Sequence, residues 1–490
     1  MKEQIAKSVV WIVWSRGVLQ VVSFLSTLVV ARLLSPVDYG LMALAGICTI
    51  PVSSIAELGL GAAMVQFRDL EETELNACFW LTMSVAGLGY LALYIFAPAI
   101  ANWFASPRLS TVLRVVGLTL PLATVRVVPD SLLRKRLELD KVSQAEIVSV
   151  MVSIPVVLGM AWTGSGVWAL VAVALLMPSV QGVVSFWFVR WWPGLRMGGR
   201  RFHEVIRYSL ATLGARVCWA VYQQADIFVL GKVSGDVALG FYSMAKQLAT
   251  LPVEKVTTAV NQLASPVMAE LQADREAMRI SLLRVIRLIA WVTFPLCIGL
   301  MVMAKDFVWV ALSEKWLRAV PIIQVLCLYA MILSVAVLLP SVLMARYRAK
   351  FLFGYNLTLL AVMPLAFWLG ALWSGAAGVA VAWVAVYPII MVRMAREAFS
   401  EVGVSRRKLW TELRPPLEAT LVMMVAMLLV QSGIASWARD LMVARLAAMS
   451  LAGAAVYSAW LFRFGGPVRA EMLEVAGLLF RRTRQLPTAN

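Results

Sequence analysis

Several polar side chains sit inside stretches that are otherwise apolar enough for lipid: Arg16, Gln20, Glu57, Arg126, Arg216, Gln223, Asp226, Glu254, Lys255 and Asn261. A charged residue at mid-helix costs about 2.5–3.5 kcal/mol on insertion scales, so each one needs a reason to be there. Arg16 and Gln20 lie one turn apart, and Arg126 and Asp130 have the same i,i+4 spacing. Arg216, Gln223 and Asp226 fall roughly on one helical face. Guanidinium groups bind phosphate and pyrophosphate in bidentate fashion, so Arg16, Arg126 and Arg216, with Gln20, Gln223, Lys255 and Asn261, form a candidate set for an anionic, hydroxyl-rich substrate. The acids Glu57, Asp226 and Glu254 suit ion coupling or salt bridges within a cavity. A plainer reading stays open, in which each Arg pairs with an acid such as Asp226 or Glu57 and only fastens helices together. Arg126 and Asp130, nearer a helix end, could also snorkel.

The elements that must position these residues are membrane helices. Of 490 residues, 61% are hydrophobic and 14% charged, and mean hydropathy is +0.82, far from a soluble domain. Apolar segments of spanning length extend from about Val9 to Leu33 and from Gly40 to Val65. Others centre near 77–98, 111–131, 143–162, 166–188, 208–231, 238–266, 281–303, 320–344, 351–373, 376–392, 416–433 and 441–462. The fold class expected is all-α integral membrane with about 14 transmembrane helices. The start of the chain reads as a first span rather than a cleaved signal. Lys and Arg concentrate in 132–141, 190–207, 346–350, 393–414 and the tail, all on one side if the helices are so numbered. By the positive-inside rule both termini are cytoplasmic. The net charge of +17 then needs no nucleic-acid partner.

The chain also echoes itself at a spacing of about 200 to 212 residues. ARLLSPVDYGLMALAGICTIPVSSIAELGLGAAMVQ (31–66) resembles the stretch 223–266, aligning Gly40 with Gly240, Pro51 with Pro252, and a buried acid, Glu57, with Glu254. VVPDSLLRKRLELDK (127–141) pairs with LLPSVLMARYRAKF (338–351), and GVWALVAVALLMPSV (166–180) with GVAVAWVAVYPII (378–390). Six helices per unit keep both copies in one orientation. The expectation is two six-helix lobes, 1–198 and 199–400, related by a pseudo-two-fold axis along the membrane normal. Residues 401–490 supply two accessory helices and a basic tail. Arg16 and Arg216 would then face one cationic chamber.

The five cysteines lack ligand spacing and the single His203 lies in a basic linker, so no metal, cofactor or catalytic residue is expected. There is no P-loop. Ten tryptophans, at 103, 162, 187, 191, 192, 309, 316, 368, 373 and 410, fall at helix ends and read as an interfacial belt.

The motifs ARLLSPVDYGLMALA (31–45), ELGLGAAMVQFRDL (57–70), Phe79–Trp80 and LGKVSGDVALGFYSMAKQLATLPVEKV (230–256) resemble the Wzx/WzxC-type polysaccharide flippases of the multidrug/oligosaccharidyl-lipid/polysaccharide exporter superfamily. The resemblance covers the first helix to about residue 400. It implies two lobes around a V-shaped cavity in the bacterial inner membrane. The substrate implied is an undecaprenyl-pyrophosphate-linked oligosaccharide, moved from the cytoplasmic to the outer leaflet by alternating access, with membrane lipids, a polysaccharide polymerase and a co-polymerase as partners. Asp226 occupies the family's acidic position, preceded here by Gln224 rather than a basic residue. Two rivals stand beside it: a cation-coupled multidrug antiporter of the same superfamily, and a polysaccharide polymerase or ligase.

Overall fold

A computed structural model describes residues 19–67, 70–199, 201–435 and 442–464. Arg16 lies outside the described residues. Among the described residues every regular element is a helix. Eleven are long and apolar enough to cross a membrane, and a shorter apolar helix, Leu19–Leu33, precedes them. The chain is a multi-pass membrane protein. Two of the eleven, Arg216–Thr258 and Ala349–Val402, run to 43 and 54 residues. Each contains a break in helical backbone, at Gly235 in the first and at Ser374–Gly375 in the second.

The chain divides into two compact units. Unit 1 comprises Met1–Met244, Ala311–Trp316 and Asn356–Val379, and unit 2 comprises Ala245–Val310, Leu317–Tyr355 and Ala380–Asn490. Unit 1 opens with α1 (Leu19–Leu33) and α2 (Pro36–Ala56), whose start is specified locally. Ser35 is the N-cap, Pro36 supplies a preset φ at the first helical position, and Asp38 completes a capping box. Helix α2 stops where Leu58 and Gly59 take left-handed backbone, φ +50° and +71°, and α3 (Leu60–Gln66) resumes beyond them. Two successive left-handed residues cannot continue an α-helix. The next span is built in three pieces, α4 (Glu72–Trp103) being followed by α5 (Pro107–Val116), α6 (Thr119–Val125) and α7 (Val127–Lys135). A hairpin of α8 (Leu139–Trp162) and α9 (Val167–Val189) follows, then α10 (Phe202–Gln223) and α11 (Ala225–Glu270).

The basic linker 190–201 is not loose. Asn76 on α4 receives the Gly194 N–H at 2.9 Å and donates to the Arg196 carbonyl at 3.2 Å, while the buried Glu74 accepts the Arg201 N–H at 2.8 Å. His203 is exposed on the first turn of α10 rather than in a linker.

Unit 2 holds α12 (Arg275–Ala311), α13 (Val320–Ala336), α14 (Leu339–Ala345), the start of α15 (Ala349–Ala385), α16 (Tyr387–Val402), α17 (Arg406–Ala435) and α18 (Met442–Phe464). The last two pack on α12 through Ile298, Met423, Met427 and Met449, thioether chains that fill irregular gaps. Arg445 on α18 reaches the buried Asp306 on α12, Nε to Oδ2 2.7 Å. The Tyr457 hydroxyl donates to the Trp291 carbonyl at 2.6 Å.

Unusual backbone recurs at a fixed interval. Ala105 and Ser313, Leu137 and Tyr347, and Gly166 and Gly375 all have positive φ, at separations of 208, 210 and 209 residues. Gly166 and Gly375 share both dihedrals, φ 57° and ψ −132° against φ 55° and ψ −131°. The sequence likeness aligns Gly166 with Gly378, three residues beyond the glycine that shares its backbone conformation.

Candidate functional site

The positions with most chemical content in unit 1 fall into a network of connecting segments and two polar clusters. In the network, α2 and the part of α11 beyond Gly235 meet through their glycines. A methyl on Gly40 would fall 2.0 Å from the Asp236 carbonyl oxygen, and one on Gly240 would fall 1.8 Å from the Pro36 carbonyl oxygen. Each glycine thus admits the backbone at the start of the other helix, and the two contacts exchange under a shift of 200 residues. Around them, the Ser106 hydroxyl donates to Asp236 Oδ2 at 2.7 Å. Lys232 Nζ donates to the Trp103 carbonyl at 2.7 Å and lies 4.4 Å from that indole's centroid. Asp38 lies against Gly166, and Ser234 against Gly375.

Trp316 closes the same network. Its indole N–H donates to the Ala31 carbonyl at 2.9 Å, and Tyr39 and Phe241 stand edge-on to its rings at 5.4 and 5.9 Å. Trp316 is fully buried, and Trp191 packs with Phe79 and Phe186. The other eight tryptophans assigned to an interfacial belt are exposed. A tryptophan at a helix end reads the same whether it faces lipid or a neighbouring chain segment, so the sequence could not separate these two.

The first polar cluster centres on Arg126, at the joint between α6 and α7. Its Nη1 donates to Gln181 at 2.8 Å and lies 3.5 Å from Asp130. Asp130 accepts the Ser185 hydroxyl at 2.7 Å. The Arg126 side chain keeps 35% exposure, so the cluster retains cationic surface while its acid is held from two sides. The i,i+4 pair was legible, whereas Gln181 and Ser185, on α9, carry no local signal for it.

The second cluster is Asp226 with Tyr242. Both side chains are fully buried, and the tyrosine hydroxyl donates to Asp226 Oδ2 at 2.5 Å, while the Ile227 N–H donates to Oδ1 at 2.8 Å. A hydroxyl on a carboxylate is a charge-assisted bond and a means of keeping an acid inside a membrane helix.

The remaining candidates are placed singly. Gln20, Glu57 and Gln223 are half-buried, and Arg216, Glu254 and Lys255 are exposed. The expectation of buried acids at 57 and 254 is corrected on this point. Glu57 ends α2 beside the Leu58–Gly59 break. The Glu254 carboxylate takes the Thr250 hydroxyl one turn back at 2.8 Å. The Asn261 side chain, like Arg16, lies outside what is described.

Interrupted helices and buried polar pairs on a multi-pass scaffold whose described elements are all helical are features that membrane transporters share. Two solved structures share the fold. "Lipid II flippase MurJ, inward closed conformation" has a TM-score of 0.73 at 13% identity, covering 93% of this chain and 98% of that one. An inward-facing multidrug resistance MATE family transporter of the MOP superfamily has a TM-score of 0.61 at 11% identity, covering 78% and 96%.

Sequence relatives narrow the class. The chain is 28% identical to the teichuronic acid biosynthesis protein TuaB of Bacillus subtilis, over 70% of this chain and 71% of that protein. It is 23% identical to the lipopolysaccharide biosynthesis protein WzxC of Escherichia coli, over 72% of each. It is 25% identical to the succinoglycan biosynthesis transport protein ExoT of Rhizobium meliloti, over 67% of each. The model of the polysaccharide biosynthesis protein family matches residues 29–321, more than half of the chain, and the chain belongs to that family. The likeness to Wzx/WzxC-type transporters read from its motifs holds, and the class is one of transporters rather than enzymes.

Proposed function

We propose that this protein moves an undecaprenyl-pyrophosphate-linked oligosaccharide across the bacterial inner membrane by alternating access, in the synthesis of a surface polysaccharide. The observation that carries the reading is the coincidence of two independent likenesses. Its sequence relatives are named for polysaccharide biosynthesis, and one of its structural neighbours is named a lipid II flippase. A headgroup with several charges cannot cross hydrocarbon unaided, and a wet, polar path lowers that barrier.

The duplicated design is supported by the left-handed positions recurring at 208–210 residues and by the exchange of Gly40 and Gly240. With the two longest helices each divided at their breaks and Leu19–Leu33 counted, the spans reach fourteen. On this reading the lobes are 1–198 and 199–400, followed by accessory helices within 401–490, and both termini are cytoplasmic. The network around Gly40, Gly240 and Trp316 then lies on the outer face and closes it. Arg16, Gln20, Arg126, Arg216, Gln223, Lys255 and Asn261 take the pyrophosphate and sugars. Glu57, Asp226 and Glu254 serve coupling or internal pairing. Polymerase and co-polymerase receive the product.

The MATE likeness favours a second reading, a multidrug antiporter. Deleting the gene in its native host separates the two. Loss of surface polymer with lipid-linked units retained on the cytoplasmic leaflet supports the first. Intact polymer with heightened drug susceptibility supports the second.

A further inference from the structure

Unit 2 carries a cavity of about 480 Å³ between the first turn of α15 and the open face of α16. Helix α16 buries Tyr387, Ile390, Met394, Ala398 and Val402. The residues between them line the cavity as one stripe, at spacings of three and four. Along the stripe the chemistry changes in order. Ile389 and Val392, with Phe351 from α15, form an apolar end; Arg393 and Arg396 follow, and Glu397 and Ser400 close the polar end. From Ile389 to Ser400 the stripe runs about 16 Å, at 1.5 Å per residue.

Arg393 and Arg396 are both exposed, and neither pairs with a carboxylate among the described residues. The Arg393 guanidinium lies 5.6 Å from the Phe351 ring centroid, a contact that orients the cation without neutralising it. The acid in the wall is matched from elsewhere. Glu397 pairs with Arg348 at 3.4 Å, and Arg348 also pairs with Glu401 at 2.6 Å.

Both helices mark the depth of these arginines. On α16 the apolar sequence PIIMV ends at Arg393, and on α15 Lys350 gives way to FLF. The contact of Arg393 with Phe351 puts the two boundaries at one level. On the apolar side Ile389 is 72% exposed, within a helical stretch long and apolar enough to cross a membrane. Tyr347, in the turn before α15, is 84% exposed. An exposed aromatic ring at the charged end of an apolar span sits at headgroup level.

We propose that Arg393 and Arg396 bind the phosphate of an anionic membrane phospholipid whose acyl chains lie on Phe351, Ile389 and Val392. Guanidinium groups match the paired oxygens of a phosphodiester. The apolar end is three side chains long, so the cavity grips a headgroup rather than a length of chain, and its occupant is bulk lipid rather than a polyprenyl carrier. The proposal rests on membrane embedding and is independent of what the protein transports. Each basic side chain near a membrane surface is worth about fivefold in affinity for an anionic lipid, so removing two costs about thirtyfold.

The test uses the full chain in nanodiscs of phosphatidylcholine with a minor fraction of phosphatidylglycerol, with retained lipid counted by native mass spectrometry. The wild type should retain phosphatidylglycerol over phosphatidylcholine. Arg393→Ala with Arg396→Ala should weaken that retention about thirtyfold. Arg406→Ala with Arg407→Ala, an equal loss of exposed charge at the start of α17 and away from the lining, should leave it within about twofold. The single exposed change Arg396→Ala, expected to cost about fivefold, guards against misfolding of the double variant. Absence of lipid preference in the wild type, or equal loss in the two double variants, overturns the site. Undecaprenyl phosphate, added at a small fraction of the phosphatidylglycerol, should leave that lipid in place; its displacement would overturn the assignment to bulk lipid.

Discussion

Replacing Gly40 or Gly240 by alanine should open the contact network of unit 1. The added methyl would lie 2.0 Å from the Asp236 carbonyl oxygen in the first case and 1.8 Å from the Pro36 carbonyl oxygen in the second. Carbon–oxygen contacts settle at about 3.3–3.6 Å, so the helices must part by more than about 1 Å. The obstructing atoms are backbone, with no side-chain rotamer to yield. Overpacking of this kind costs about 1–3 kcal/mol, which lowers the population of the closed form about 5- to 150-fold. The readout is the rate at which a membrane-impermeant maleimide, added from outside, modifies a cysteine placed at the buried Ser106 in a chain with its own cysteines replaced. Rates should rise steeply in Gly40→Ala and Gly240→Ala. They should stay at the parent level in Gly46→Ala, where a methyl would meet only the Ile50 side chain at 3.6 Å. Unchanged rates in both gate variants, with polymer export intact, would refute the claim that these glycines hold the network shut.

Other expectations follow from single contacts. Tyr242→Phe removes the hydroxyl from a fully buried carboxylate and should cost about 1.5–3 kcal/mol, read as a lowered melting temperature of the solubilised protein. Asp306→Ala leaves Arg445, whose side chain is 13% exposed, without its carboxylate and should cost about 3–5 kcal/mol; adding Arg445→Met should recover much of this in the same measurement. Arg16→Ala combined with Arg216→Ala should abolish polymer export while membrane insertion, followed by fractionation and immunoblot, stays normal. Normal polymer output from that double variant would contradict the assignment of these arginines to substrate.

The helices were legible because apolar length and charge-free runs are local properties, and within the described residues the expected apolar segments are helical, that from Gly40 to Val65 being broken at Leu58–Gly59. The likeness of the stretches around Gly40 and Gly240 was legible too, since both glycines follow a turn rich in Ser, Asp or Gly and precede an apolar run. That these two glycines touch each other's helix was not, because periodicity says which residues share a face and nothing about what that face meets. Tyr242 escaped notice for the same reason: it is sixteen residues from Asp226, across the Gly235 break that folds it back. Asp306 and Arg445 were passed over because each lies near the end of a span, where charge is cheap and commonly snorkels. Their pairing depends on α18 docking against α12. Trp316 joined a belt on its position alone, and only tertiary packing turns it inward. What composition encodes is the solvent each helix meets, and what it leaves open is which polar groups find each other.

The central claim, translocation of a lipid-linked oligosaccharide, is tested most directly in sealed vesicles. Purified protein would be reconstituted with an undecaprenyl-pyrophosphate-linked oligosaccharide, and an added glycosidase would report the fraction of sugar exposed outside. The inner-leaflet pool should become accessible over time with the wild-type protein and remain protected in protein-free vesicles and with Arg216→Ala. A pool that stays protected beside folded, wild-type protein, with the driving gradients supplied in either direction, would contradict it.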